Sequence, residues 1–293
     1  MSWRRNLGFA LLVAFSLVFW WSPLAEAFRL AWTNEAYTHI ILIVPLSLAL
    51  VYFDSKTVRP VIEPSHRAGL FLLAVALALA CFARWGGGAI GPDVRLSLSM
   101  IAIVLWWIGA VVFSFGIPVF RTFIFPLCFL FWLVPFPDFL LNRIIEALQN
   151  GSVVAARWMF QLARVPVTQN GIVLSLPGLD IEVVRECSSI RSSMVLIVTT
   201  MVLAHLFLRS WWRKLIVVLI AIPLSVAKNA LRIFVIVELA MRVDPDYLTG
   251  NLHRHGGIVF LMVAITIVGV MLCMLRESQL PGVGIARISG SSR

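Results

Sequence analysis

The chain has 293 residues, of which 60% are hydrophobic and 13% charged, with a mean hydropathy of +0.95. That is too apolar for a soluble domain and defines a multispanning membrane protein. The formal net charge of +10 raises the question of nucleic acid, but the cations are scattered between apolar stretches, so nucleic acid is set aside and they read as topology signals.

A helix needs roughly 20 apolar residues to cross a bilayer. About eight runs qualify, at approximately 7–27, 36–53, 68–85, 95–115, 118–136, 188–208, 214–241 and 256–275. The expected fold class is therefore an all-α polytopic membrane protein, one integral membrane domain over 1–293. The first run follows Arg4-Arg5 and ends near Ala25-Glu26-Ala27, which resembles a cleavage site. Two tryptophans and a proline interrupt its apolar end, so it is read as a retained span.

With a cytoplasmic N-terminus, the inner segments carry Arg4 and Arg5, then Lys56, Arg59 and Arg67, then Arg209, Arg213 and Lys214, then Arg276, Arg287 and Arg293. That distribution obeys the positive-inside rule. Most acids, including Glu35, Asp93, Asp138, Glu146 and Asp180, fall on the outer side.

One long outer segment, about 137–187, follows the fifth run. Pro135 and Pro137 end that run and Asp138 can cap a new helix. From 139 to 164 apolar residues such as Leu140, Ile144, Leu148, Ala155 and Met159 recur at helical spacing. The expectation is an amphipathic helix on the membrane surface, single or broken at Asn150-Gly151. Asn170-Gly171 between β-branched runs then signals a short β-hairpin, with an irregular loop as the alternative.

Of four cysteines, Cys81, Cys128 and Cys273 lie in apolar runs and read as inert small hydrophobes, and disulfides are not expected. Cys187 alone has polar neighbours, Arg185-Glu186-Cys187-Ser188-Ser189-Ile190-Arg191, at the expected start of the sixth span. A helix N-terminus and a guanidinium one turn on favour a thiolate. The plainer reading is a helix anchor at the interface.

Within the seventh run stand Lys228, Asn229 and Arg232. A cation in a span costs at least ~2–3 kcal/mol and normally faces a bundle interior or a wet cavity. Counting 18 residues from Lys214 puts Arg232 ~27 Å along the helix, near the outer interface. Snorkelling to headgroups is the alternative, and applies more to Lys228 than to Arg232. The segment before the last span contains His253-Arg254-His255. No second ligand pair with usable spacing makes this a metal site. Thiol, guanidinium and imidazole thus fall at one level, as nucleophile, oxyanion stabiliser and proton carrier for acyl transfer. No cofactor is called for.

These residues resemble the exosortases and archaeosortases, multispanning membrane transpeptidases. The resemblance rests on Glu186-Cys187-Ser188-Ser189-Ile190-Arg191-Ser192-Ser193, Asn229-Ala230-Leu231-Arg232-Ile233 and Leu252-His253-Arg254-His255-Gly256-Gly257, supported by Tyr37-Thr38-His39 leading into Pro45-Leu46-Ser47-Leu48 and by Pro126-Leu127 through Val134-Pro135-Phe136-Pro137. Ser189 stands where many members have glycine, and His253 is favoured over the neighbouring His255 by its spacing from Gly257. The resemblance implies catalytic Cys187, Arg232 and His253, with Arg191, Asn229 and Glu186 in support. It also implies protein substrates bearing a C-terminal motif such as Pro-Glu-Pro, a transmembrane helix and a basic tail. An acceptor on the cell surface or matrix is expected, with membrane lipid as the surroundings. The implied location is the bacterial inner membrane, with the site facing outward. A transporter, suggested by the polar seventh span with Pro223, and a scaffold for envelope polysaccharide assembly are the alternatives. The residues from about 277 to 293 read as a flexible cytoplasmic tail.

Overall fold

The computed structural model describes residues 2–86, 90–183, 190–248 and 257–277. It is almost wholly helical, as the composition requires, and its contacts fall into two units, Met1–Gln149 and Asn150–Arg293. Six helices are long and apolar enough to cross a membrane, or up to eight if each of two bent pairs forms one span.

In the first unit, α1 (Ser2–Phe19) and α2 (Trp21–Thr33) meet at a 71° bend, so the first expected run is a bent pair. A 3-10 turn (Glu35–Tyr37) leads into α3 (Ile40–Thr57), followed by α4 (His66–Trp85) and α5 (Pro92–Phe115). Helix α5 is the most enclosed of the spans, and α4 packs along it through glycines. A Cβ on Gly69 would stand 2.4 Å from the Phe113 Cα, and one on Gly109 3.1 Å from the Leu72 Cβ. Such small residues let the two backbones close together. Gly116 ends α5 at φ +97°, and a Cβ there would fall 1.8 Å from the Glu63 carbonyl oxygen, so only glycine fits this turn. Helix α1 is tied to α5 by tryptophans: Trp106 Nε1 donates to the Leu12 carbonyl at 2.9 Å and Trp107 Nε1 to Ser16 Oγ at 2.9 Å.

The fifth expected run, 118–136, is not one helix. It consists of α6 (Ile117–Thr122), α7 (Ile124–Phe129) and a 3-10 turn (Leu130–Leu133), because the ring of Pro126 is incompatible with a helical carbonyl at Thr122. Irregular backbone at membrane depth needs partners from protein. Hydroxyls supply them: Ser47 donates to the Pro126 carbonyl at 2.7 Å, Ser97 to that of Pro135 at 2.7 Å and Tyr37 to that of Phe136 at 2.8 Å. Helix α8 (Asp138–Leu162) then starts at Asp138, whose N–H donates to Asp93 Oδ2 at 2.9 Å, after a 96° bend.

Helix α8 runs unbroken through Asn150-Gly151 into the second unit. Gly151 does not break it because it packs there, with a would-be Cβ only 3.2 Å from Val226 Cγ1. The expected hairpin is a three-stranded antiparallel meander of β1 (Thr168–Asn170), β2 (Val173–Leu176) and β3 (Leu179–Glu182). Asn170 pairs with Val173 across a loop begun by Gly171 at φ +60°, and Leu176 pairs with Leu179 across Pro177-Gly178, with Gly178 at φ +79°. Proline followed by a positive-φ glycine is the pattern of a type II turn. Leu174 and Leu176 point from β2 into a core shared with Val153, Ala156 and Phe160 of α8 and Ala230, Ile233 and Val237 of the long tenth helix.

That helix, α10 (Trp211–Arg242), is preceded by α9 (Ile190–Phe207) and followed by a 3-10 turn (Pro245–Leu248) and α11 (Gly257–Glu277). The three helices pack around Leu196, Ala204, Val217, Ala264, Val268 and Leu272. The tail beyond Glu277 lies outside the described residues.

Candidate active site

Polar residues on α10 recur every three or four positions, at Ser225, Lys228, Asn229 and Arg232, and so share one stripe of the helix. The structure turns most of that stripe inward. Ser225 and Asn229 are each 1% exposed and Lys228 6%, whereas Arg232 is half-buried. Ser225 returns its hydroxyl to the Ile222 carbonyl at 2.7 Å, an ordinary helical back-bond.

Lys228 is different. Its Nζ donates to Ser192 Oγ in the first turn of α9, and no carboxylate pairs with it among the described residues. The ammonium therefore does not snorkel to the surface, which removes the snorkelling alternative at this position. A buried cation within a span costs ~2.5–3.5 kcal/mol on insertion scales and by default marks function. Its contact also brings the first turn of α9 level with α10 at residue 228, one turn before Arg232.

Asn229 is held from the other side. Its Nδ2 donates to Ser152 Oγ of α8 at 3.0 Å, both residues being buried. Its Oδ1 accepts nothing among the described residues, and neither does the enclosed hydroxyl of Ser193, next to Ser192. Unmatched buried groups of this sort are few inside proteins. Helix α8 owes its position here to small residues, since Gly151 admits Val226 and Ser152 reaches Asn229.

Of the residues expected at the site, Arg191, Asn229 and Arg232 are thus described. Arg191 is exposed in the first turn of α9, adjacent in sequence to the Ser192 that Lys228 contacts. Cys187, Glu186, His253 and His255 lie outside the described residues. In sequence, Cys187 precedes the start of α9 at Ile190 and His253 precedes that of α11 at Gly257.

Sequence reasoning missed Ser152, and it gave Ser192 and Ser193 no role beyond their place in the cysteine motif. Serines in helices usually bond their own backbone, so only the packing of α8, α9 and α10 distinguishes these three. Small polar residues inside apolar helices were the available signal.

Over residues 31–270 the chain matches the family of transmembrane exosortases. The chain belongs to that family. Neither a curated protein nor a solved structure matches it. Exosortases have a membrane transpeptidase type of role on exported proteins with C-terminal sorting signals, and the matched range takes in Cys187, Asn229, Arg232 and His253. This exosortase is accordingly a multi-pass membrane protein, with a buried lysine and asparagine on α10 that bond serines of α9 and α8.

Proposed function

We propose that this exosortase is a cysteine transpeptidase that cleaves C-terminal sorting signals at the outer face of the bacterial inner membrane. The observation that supports this reading is the family match across all three proposed catalytic residues, together with an α10 whose buried polar stripe leads up to Arg232.

The Cys187 thiolate attacks the scissile carbonyl carbon and forms a C–S bond, and the carbonyl oxygen takes the negative charge. Arg232 stabilises that oxyanion, a charge that is worth most where water is excluded. His253, or its close competitor His255, gives a proton to the amine as the C–N bond breaks, leaving a thioester on Cys187. An acceptor amine or water then loses its proton to the histidine and attacks the thioester, and the C–S bond breaks to return the thiolate. Arg191 adds positive charge near the nucleophile, Asn229 holds the α10 face, and Glu186 orients a cation.

The substrate is an exported protein whose tail carries a motif such as Pro-Glu-Pro, one transmembrane helix and a basic cluster, and the product is joined to an acceptor on the surface or matrix. The test is processing of a reporter with such a tail, co-expressed with wild type or with Cys187→Ala. Cleavage with wild type alone is expected. Equal cleavage with both would end the thiol mechanism.

A further inference from the structure

The first unit contains a half-open cleft of about 880 Å³ between α1, α2, α3 and α5, closed at its base by α7 and the turn after it. We propose that this cleft is a binding site for one anionic phospholipid of the bilayer, with an acyl chain in the cleft and its phosphate at Arg5.

The lining excludes a polar ligand. It is almost entirely aliphatic and aromatic, and the polar atoms of Ser47 and Trp107 are already used, Ser47 Oγ donating to Pro126 and Trp107 Nε1 donating to Ser16. An apolar cavity of ~150 Å³ is enough to take up benzene, so one several times larger beside lipid holds hydrocarbon.

Length selects the kind of hydrocarbon. Along α3 the lining runs from Ile40 to Val51, and along α5 from Met100 to Val111. At ~1.5 Å per residue each is ~16 Å, about half of the ~30 Å hydrocarbon core. A spanning helix needs the whole depth, whereas a lipid chain needs one half.

Charge selects the headgroup. At the end of the cleft nearest the N-terminus, Phe9 lines the wall and meets Phe115 edge-on at 5.2 Å. Arg5, one turn before Phe9, lies over the same Phe115 ring with Cζ 5.4 Å from its centroid. The Arg5 Nε is enclosed and has no hydrogen-bond partner among the described residues. A guanidinium fixed on an aromatic ring at the mouth of an apolar cleft matches a phosphodiester followed by an acyl chain.

The test is native mass spectrometry of the full chain, delipidated in mild detergent and titrated with phosphatidylglycerol or phosphatidylcholine. One phosphatidylglycerol per chain is expected, with phosphatidylcholine binding more weakly. Arg5→Gln should weaken phosphatidylglycerol about fivefold and leave phosphatidylcholine unchanged. Ala25→Trp and Leu48→Trp, at exposed positions on the wall, should fill the cleft and remove both lipids while the thermal midpoint stays near wild type. Unchanged lipid binding in both tryptophan variants would overturn the site, and equal affinity for the two lipids would overturn the role of Arg5. A lipid-free wild type that is a dimer, and that Ala25→Trp makes monomeric, would assign the cleft to a second copy instead.

Discussion

Helices α5 and α10 both carry polar side chains through apolar surroundings, and they use them in opposite ways. On α5, Ser97 donates to the carbonyls of Asp93 and Pro135, Ser99 to that of Arg95, and Trp106 to that of Leu12. Each of these ends on backbone, two within α5 itself and two on neighbouring segments that they fasten, and Trp107 likewise fastens α1 by its bond to the Ser16 hydroxyl. On α10, Lys228 and Asn229 reach side chains on α9 and α8, and Asn229 Oδ1 is left unmatched among the described residues. Among the described residues no buried side-chain atom of α5 lacks a partner, whereas α10 holds a buried cation and an unmatched acceptor. Polar residues in a span are therefore better separated by what they bond to than by their number.

The sharpest way to break the comparison is at Arg232. Its replacement by alanine should lower reporter processing about 10²–10³-fold, the usual cost of one oxyanion donor, with Arg232→Lys in between. Unchanged turnover in Arg232→Ala would reduce the residue to a membrane anchor.

Next comes Lys228→Met, which replaces the buried ammonium by an apolar chain of similar length. Processing should fall about tenfold or more while the thermal midpoint holds or rises, because a buried unpaired charge costs stability. Full activity would make Lys228 a structural residue like those of α5.

Smaller effects should separate the two helices by kind. Ser97→Ala should cost about 1 kcal/mol of stability through the lost staple, read as a lower midpoint, with turnover per folded molecule unchanged. Ser152→Ala should cost about the same or less, since intramembrane hydrogen bonds average ~0.6 kcal/mol. Unlike Ser97→Ala, it frees the Asn229 side chain and should also lower turnover.

Much of this architecture was legible in the chain. Hydropathy alone located six of the eight expected runs as single helices, the first and fifth being broken, and the prolines around 135–137 together with Asp138 marked the start of α8, because proline geometry acts locally. Asn170-Gly171 announced the first β-turn for the same reason. Pro177-Gly178 marks a second turn in the same way, and with it the third strand that the expected single hairpin lacks. What the sequence hid depends on packing. Asn150-Gly151 looks like a helix break until Val226 is seen against it, and the run at 118–136 looks like one span until Ser47 and Ser97 are seen bonding its irregular carbonyls. At the candidate site the cationic stripe of α10 was visible from spacing, but the burial of Lys228 was not. A four-carbon stem can equally reach a headgroup or a serine on the next helix.

The most direct measurement is the identity of the acyl-enzyme. The wild-type exosortase, mixed with the tailed reporter, quenched in acid during its first turnovers and digested, should yield a peptide carrying the reporter fragment on Cys187 through a hydroxylamine-labile thioester. An adduct on Ser192, the hydroxyl that Lys228 contacts, or reporter cleavage with Cys187 never modified, would contradict the account.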